Sequence, residues 1–239
     1  MTSRVAAFRP DDERMAEATE LLESLGAEPV SDPMLAVEPT GATPRTDAAV
    51  VVFTSATAAD CLPAGWSPDE ATVCAIGPAT AEALREVGLD VDLVPGTYSS
   101  SGLIEALGDG IAGERVEIAR SDHGSSVLPE GFDDAGVYHH ETVLYRLIRP
   151  EGAGASADLA AAGELDAALF TSTLTVEHFL SAAADRGVRE RAIAGLNRAV
   201  VGAIGEPTRS AAAAEGIEVN VVPGEATFEA LAEATVSRL

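Results

Sequence analysis

Hydroxyls and glycines recur in this chain directly after short apolar runs, where a strand would give way to a helix. Thr54-Ser55 follows Ala49–Phe53, Gly77-Pro78-Ala79-Thr80 follows Val73–Ile76, and Ser99-Ser100-Ser101 lies beyond Val91–Val94. In the second half, Arg120-Ser121 follows Val116–Ala119, Thr171-Ser172 follows Ala167–Phe170, Gly205-Glu206-Pro207-Thr208 follows Ala199–Ala203, and Thr227 lies beyond Val219–Val222. Arg9 comes right after Val5–Phe8. Backbone N–H groups at a helix start have no partner inside the helix and bind anions, and hydroxyls add further donors. Ser and Thr also cap helices with no ligand present. Recurrence at nearly every strand exit favours binding, because open α/β sheets bind ligands outside the carboxyl ends of their strands. The candidate ligand is anionic. The candidate binding set is Arg9, Thr54, Ser55, Gly77, Thr80, Ser99, Ser101, Arg120, Ser121, Thr171, Ser172, Gly205, Thr208 and Thr227, with Arg146 as a third cation nearby.

Other chemistries find no support. Gly108-Asp109-Gly110-Ile111-Ala112-Gly113 spells GxGxxG, but it follows a helix and precedes a strand, the reverse of the dinucleotide context. The chain has no Lys, so there is no phosphate-binding P-loop. His139 and His140 are neighbours on a predicted strand and point to opposite faces, and His123 and His178 offer no ligand spacing with them. A metal site is therefore not expected. Ser55 and Ser172 lack the GxSxG elbow of a hydrolase nucleophile. Cys61 and Cys74 read as small buried hydrophobes, and Trp66 as local packing in a Pro/Gly/Ser-rich loop.

The elements that must carry these groups come from a repeated plan. Phe53-Thr54-Ser55 returns as Phe170-Thr171-Ser172, 117 positions on. Ile76-Gly77-x-x-Thr80 returns as Ile204-Gly205-x-x-Thr208, and Val94-Pro95-Gly96 as Val222-Pro223-Gly224, both 128 positions on. Arg4–Asp11 matches Arg115–Asp122 at an offset of 111. The apolar runs between helices are short and uninterrupted, as suits strands covered on both faces. Met15, Ala18, Leu22 and Leu25 recur at helical spacing, with Gly26 as a stop. Pro78 opens a helix that Gly88 ends, and Thr208–Glu215 before Gly216 repeats the plan. Glu206 and Pro207 depart from the first copy and are expected to alter the backbone ahead of Thr208. Alternating strands and helices imply parallel, doubly wound sheets.

Two extended apolar segments, Pro33–Pro39 and Thr142–Pro150, break the pattern and read as paired crossings between domains. Domain one is then expected at residues 1–36 plus 147–239, and domain two at 37–146. The competing division is a tandem split near Gly110–Gly113. With 239 residues and 46% hydrophobic content, the chain is long enough for two such cores. Two unpaired cysteines and a four-residue N-terminal apolar run favour a reducing cytoplasm over export. The 39 acidic residues against 15 arginines give a net charge of −24, which disfavours nucleic acid and anionic membrane as partners. Acids spread along the chain in this way suit solubility in high salt.

Taken in order, these motifs resemble the uroporphyrinogen-III synthase family, in a haloarchaeal-type version. The resemblance rests on an early strand ending in Arg9-Pro10, the FTS signatures at 53–55 and 170–172, IGPATAEAL at 76–84, the VPG before a Ser-rich helix start, Arg120-Ser121, the Gly136–Tyr145 stretch, and IGEPTRSAA at 204–212. It covers nearly the whole chain. It implies two similar flavodoxin-like parallel-sheet domains joined by a two-stranded connection, with the substrate in the cleft. It further implies a monomeric cyclising lyase that takes hydroxymethylbilane, with transfer from the preceding pathway enzyme as an open route of supply, and uses no cofactor or metal. The reaction loses the hydroxyl of this eight-carboxylate chain, inverts the terminal pyrrole ring through a spiro intermediate and closes the macrocycle. The family's tyrosine falls on Tyr145, which is thereby the implied catalytic proton donor, directly or through water. Its cleft threonine falls on Thr80, with Thr208 as counterpart, and Ser172 matches a further cleft hydroxyl. The alternative is a non-catalytic two-lobed module that closes on an anionic small molecule.

Overall fold

The computed structural model describes residues 2–239. The chain divides into two compact units, one containing residues up to Ala36 together with Ile148–Leu239, the other Val37–Leu147. The first unit opens with β1 (Arg4–Phe8), α1 (Glu13–Ser24) and β2 (Glu28–Ser31). The Asp12 carboxylate accepts the Arg14 N–H at 3.0 Å and starts α1, and Gly26 at φ +82° stops it. The chain then enters the second unit through β3 (Ala36–Pro39), followed by β4 (Val50–Phe53), α2 (Ala56–Asp60), β5 (Thr72–Ala75), α3 (Pro78–Glu86), α4 (Ser100–Leu107), β6 (Arg115–Ser121), α5 (Val127–Asp134) and β7 (Tyr138–Ile148). It returns to the first unit with α6 (Ala155–Ala162), β8 (Ala167–Phe170), α7 (Thr173–Asp185), α8 (Arg189–Leu196), β9 (Val200–Ala203), α9 (Glu206–Ala214) and α10 (Phe228–Val236).

The first sheet has the order β2-β1-β8-β9, the second β3-β7-β6-β4-β5, with β3 beside β7. The two orders follow one plan. Val5 faces Ala167 in the first sheet as Val116 faces Val50 in the second. Ala167 faces Val200 as Val50 faces Thr72, and Arg4 faces Glu28 as Arg115 faces Tyr138. All these pairs are parallel, and the repeat seen in the sequence reappears as matching registers. Each sheet therefore draws strands from both copies of the repeat: β1 and β2 join β8 and β9, while β3, β4 and β5 join β6 and β7.

Both faces of each sheet are covered. In the first unit Ala6, Phe8, Ala168 and Phe170 point into one cluster with Phe179 and Val176, and Val5, Ala7, Ala167 and Leu169 into another with Leu22 and Leu231. In the second, Val51, Phe53 and Ala119 face Leu84 and Leu144, while Val50, Val52 and Ile118 face Leu103 and Phe132. Alternate residues of a strand point to opposite faces, so strands buried on both sides are apolar throughout, as in β4 and β8. β6 buries Glu117 and Arg120 with His140 and Glu141 as their partners.

The structure departs from the expected elements in three ways. Val91–Val94 and Val219–Val222 are not strands but single parallel bridges, Cys74 to Leu93 and Gly202 to Val221. The cause is side-chain competition for the ladder. Asp92 accepts the Val73 N–H at 2.8 Å, and Asn220 accepts the Val201 N–H at 2.7 Å, so donors that would extend the pairing are already taken. β2 carries no apolar run in EPVS and is half-exposed, which leaves it without a sequence signal. The third concerns Glu206-Pro207. Gly205 has φ −168° and ψ 173°, against φ −167° and ψ 176° at Gly77, so the backbone before Thr208 is unchanged. Proline has moved from the first to the second helical position, and neither position has an intrahelical partner for its N–H.

Candidate functional site

In the second unit the site is built from the carboxyl ends of β4, β5 and β6 and from β7. Tyr145, on β7, packs with Val51, Phe53, Ala75 and Leu144 and is only 5% exposed. Its phenol lies 2.9 Å from Ser55 Oγ. Ser55 caps α2 by accepting the Ala58 N–H at 3.2 Å, so one lone pair is committed and its proton and second lone pair remain for the phenol. Two coupled hydroxyls thus stand at the tip of β4, with Thr54 beside them. A phenol held this way can pass a proton out and recover it through Ser55.

Gly77 begins α3 after β5, followed by Pro78, and Thr80 sits on the first turn at 4% exposure. Ser99 caps α4 by accepting the Gly102 N–H at 3.0 Å, and Ser101 is exposed on its first turn. Between them lies Tyr98, 64% exposed, its Cβ and Cγ 3.4 and 3.6 Å from where a Gly77 Cβ would stand. A search for hydroxyls and glycines passes over it; an aromatic one residue before a helix cap at a strand exit is the available signal.

Ser121 ends β6. Arg120 is buried, and its guanidinium meets Glu141 at 2.7 Å, so its charge is already answered inside this unit. Gly124 makes room for it, since a Cβ there would overlap the guanidinium. Next to it, Asp122 accepts the Leu147 N–H at 3.1 Å and lies 2.8 Å from His123 Nδ1. Burial pushes the Asp122 carboxyl up, but His123 and the Leu147 N–H outweigh it, and the net shift is downward. This ties the end of β7 to the tip of β6. Arg146 lies 3.7 Å from Glu38 and is exposed. His139 and His140 part company as expected for strand neighbours, one 3.5 Å from Asp133 and the other 2.9 Å from Glu117. Among the described residues no cluster of His, Cys, Asp and Glu is placed to hold a metal.

The first unit repeats the arrangement. Thr171 donates to the Phe8 carbonyl at 2.6 Å, clamping the tips of β8 and β1 together. Ser172 caps α7, in a reciprocal box with Thr175. Thr227 caps α10 by accepting the Ala230 N–H at 3.2 Å. Gly205 begins α9, and Thr208 is 4% exposed on its first turn. Arg9, at the tip of β1, lies 4.5 Å above the Phe228 ring, and its buried Nε has no hydrogen-bond partner among the described residues. No carboxylate lies within ion-pairing distance of it among the described residues. Burial, then the neighbouring Arg14 charge, pushes its pKa below the ordinary value, against the pull of Glu17 and Asp12. A desolvated, unpaired guanidinium at a strand tip is poised for an incoming carboxylate.

Two doubly wound parallel sheets, each with a rim of hydroxyls and glycine-started helices, and one with a buried phenol, define a two-unit α/β protein of flavodoxin-like topology. The family model described as uroporphyrinogen-III synthase HemD matches residues 16–233. A putative uroporphyrinogen-III synthase of Methanothermobacter thermautotrophicus is 35% identical, covering 85% of this chain and 86% of its own. The chain belongs to the uroporphyrinogen-III synthase family. Its fold is shared by a crystal structure of a mutant uroporphyrinogen III synthase from the extremely thermophilic bacterium Thermus thermophilus, with TM-score 0.66 at 22% identity over 97% of this chain and 96% of that one. Uroporphyrinogen-III synthetase from Helicobacter pylori shares it too, with TM-score 0.65 at 15% identity over the full length of both chains.

Proposed function

We infer that this protein catalyses its family's reaction, closing hydroxymethylbilane to uroporphyrinogen III with loss of water and inversion of the terminal pyrrole ring. The observation that carries this is the family match across residues 16–233, joined to a relative 35% identical over most of both chains. The site residues support it as follows. Tyr145 supplies the proton with which the substrate hydroxyl leaves as water, and the electron-rich pyrrole takes up the resulting positive charge. The terminal ring attacks through its substituted carbon to give the spiro intermediate. The bond from that carbon to its original methylene bridge then breaks, the freed methylene rejoins the ring at its unsubstituted α-carbon, and the proton lost from that carbon returns to the tyrosinate by way of Ser55. Unassisted closure gives the uninverted isomer, so the protein's larger task is to hold the chain ends in the inverting geometry. The substrate's carboxylates are met by Arg9 and by the hydroxyls and first-turn N–H groups at Thr54, Ser55, Gly77, Thr80, Ser99, Ser101 and Ser121, and at Thr171, Ser172, Gly205, Thr208 and Thr227. Many shared hydrogen bonds suit this positioning task better than a single nucleophile would. A monomer working in a salt-rich cytoplasm completes the reading, supported by two free cysteines and the acidic composition.

The test is to supply hydroxymethylbilane at several molar salt, oxidise the product and separate the porphyrin isomers. Type III is expected. Type I alone, as from the unassisted reaction, would overturn the assignment and return the two-lobed binding module.

A further inference from the structure

The chain is poor in aromatics, at 4%, and buries most of them. Phe8, Phe53, Phe132, Phe170 and Phe179 are fully buried, Phe228 and Tyr145 nearly so. Tyr98 and Tyr138 are the exposed aromatics among the described residues, at 64% and 74%. Tyr138 begins β7, at the amino edge of its sheet. Tyr98 stands at the carboxyl edge, among the hydroxyls of the candidate site, between the Leu93 bridge and the Ser99 cap.

Its backbone is held rather than loose. The Ser99 N–H donates to the Thr97 carbonyl at 2.8 Å, and the Leu103 N–H to the Ser99 carbonyl at 3.0 Å. Gly102 lets this turn press on α4, because a Cβ there would overlap the Thr97 carbonyl oxygen. The root of the ring lies beside Gly77 at the start of α3, where an added Cβ would stand in ordinary contact with the Tyr98 Cβ and Cγ. An exposed ring costs hydration of its apolar face, and here no aromatic among the described residues covers it. A flat, π-rich surface fixed at the rim of a site is suited to stacking on another flat, π-rich ring.

We propose that Tyr98 is an aromatic platform on which one pyrrole ring of the linear tetrapyrrole stacks, a role that rests on the function inferred above. The capping hydroxyls, first-turn N–H groups and Arg9 address the substrate's carboxylates and Tyr145 its leaving hydroxyl, and Tyr98 adds a contact to the ring itself. A pyrrole held by its face is restrained in rotation, which is what selecting the inverting attack requires.

The test compares wild type with Tyr98→Leu, Tyr98→Phe and Tyr138→Leu, measuring KM and kcat for hydroxymethylbilane, the type III fraction and Tm. Tyr98→Leu should raise KM by roughly tenfold and release more type I isomer at unchanged Tm. Tyr98→Phe should keep both near wild type, because the ring face is preserved, and Tyr138→Leu should change neither. If wild type makes type III while Tyr98→Leu keeps KM and isomer ratio within about twofold, a change too small for a lost stacking contact, the platform is wrong and the function stands. If Tyr98→Phe falls as far as Tyr98→Leu, the hydroxyl matters and the stacking role is equally wrong. A wild type that makes no type III overturns the function and the platform together.

Discussion

At the residue scale the site turns on how hydroxyls share their lone pairs. Ser55 is legible in the sequence as a helix cap or as a ligand contact, and the structure gives it a third partner in the Tyr145 phenol at 2.9 Å. That pairing joins residues 90 positions apart, so no local pattern announces it. Tyr145→Phe should therefore lower kcat for the type III product by on the order of a hundredfold, with folding intact by circular dichroism. Ser55→Ala should lower it less and also destabilise the protein by about 1 kcal/mol through loss of the α2 cap. A Tyr145→Phe variant with wild-type kcat would leave the phenol a core residue only. Arg9 and Arg120 show the same limit from the other side. Both follow a first strand of the plan and look equivalent in sequence, yet Glu141 answers Arg120 while Arg9 faces a phenyl ring.

At the element scale the sequence is most informative where one residue does one thing. Proline in the first turn, glycine after the last, and Ser or Thr as caps locate α3, α7, α9 and α10. It fails where a side chain overrides the backbone, as Asp92 and Asn220 do at the two outermost segments of the sheets. Helix packing is likewise hidden. Gly195 in α8 lies so close to α6 that an added Cβ would overlap the Ala160 carbonyl oxygen. Gly195→Ala would favour an isolated helix by propensity, yet it should destabilise the folded protein by about 1–3 kcal/mol, because backbone must shift to admit the methyl. Denaturant titration checks this; a stabilised variant would mean that α6 moves aside freely.

At the scale of the whole molecule, charge sets the conditions. Of the ion pairs present, most join exposed partners, such as Arg115 with Asp47 and Arg209 with Glu206, and contribute little each. They leave a net charge of −24 to repel itself. Salt screens that repulsion over a length that shrinks from about 10 Å at 0.1 M to about 3 Å at 1 M. The melting temperature should therefore fall steeply as KCl is reduced from molar to about 0.1 M, followed by circular dichroism. A melting temperature independent of salt would show that packing alone carries the fold.

The sequence by itself determined the repeated strand-and-helix plan, the strand exits that carry hydroxyls, and the family. These follow from periodicity, caps and ordered motifs, which are properties of neighbouring residues. Only the tertiary structure decided that each sheet is shared between the two copies of the repeat, that Tyr145 meets Ser55, and that Arg9 is left without a carboxylate while Arg120 is not. Those depend on strand order and on which side chains arrive at one place from distant parts of the chain, and the free energy of such meetings is set by burial and pairing rather than by local sequence.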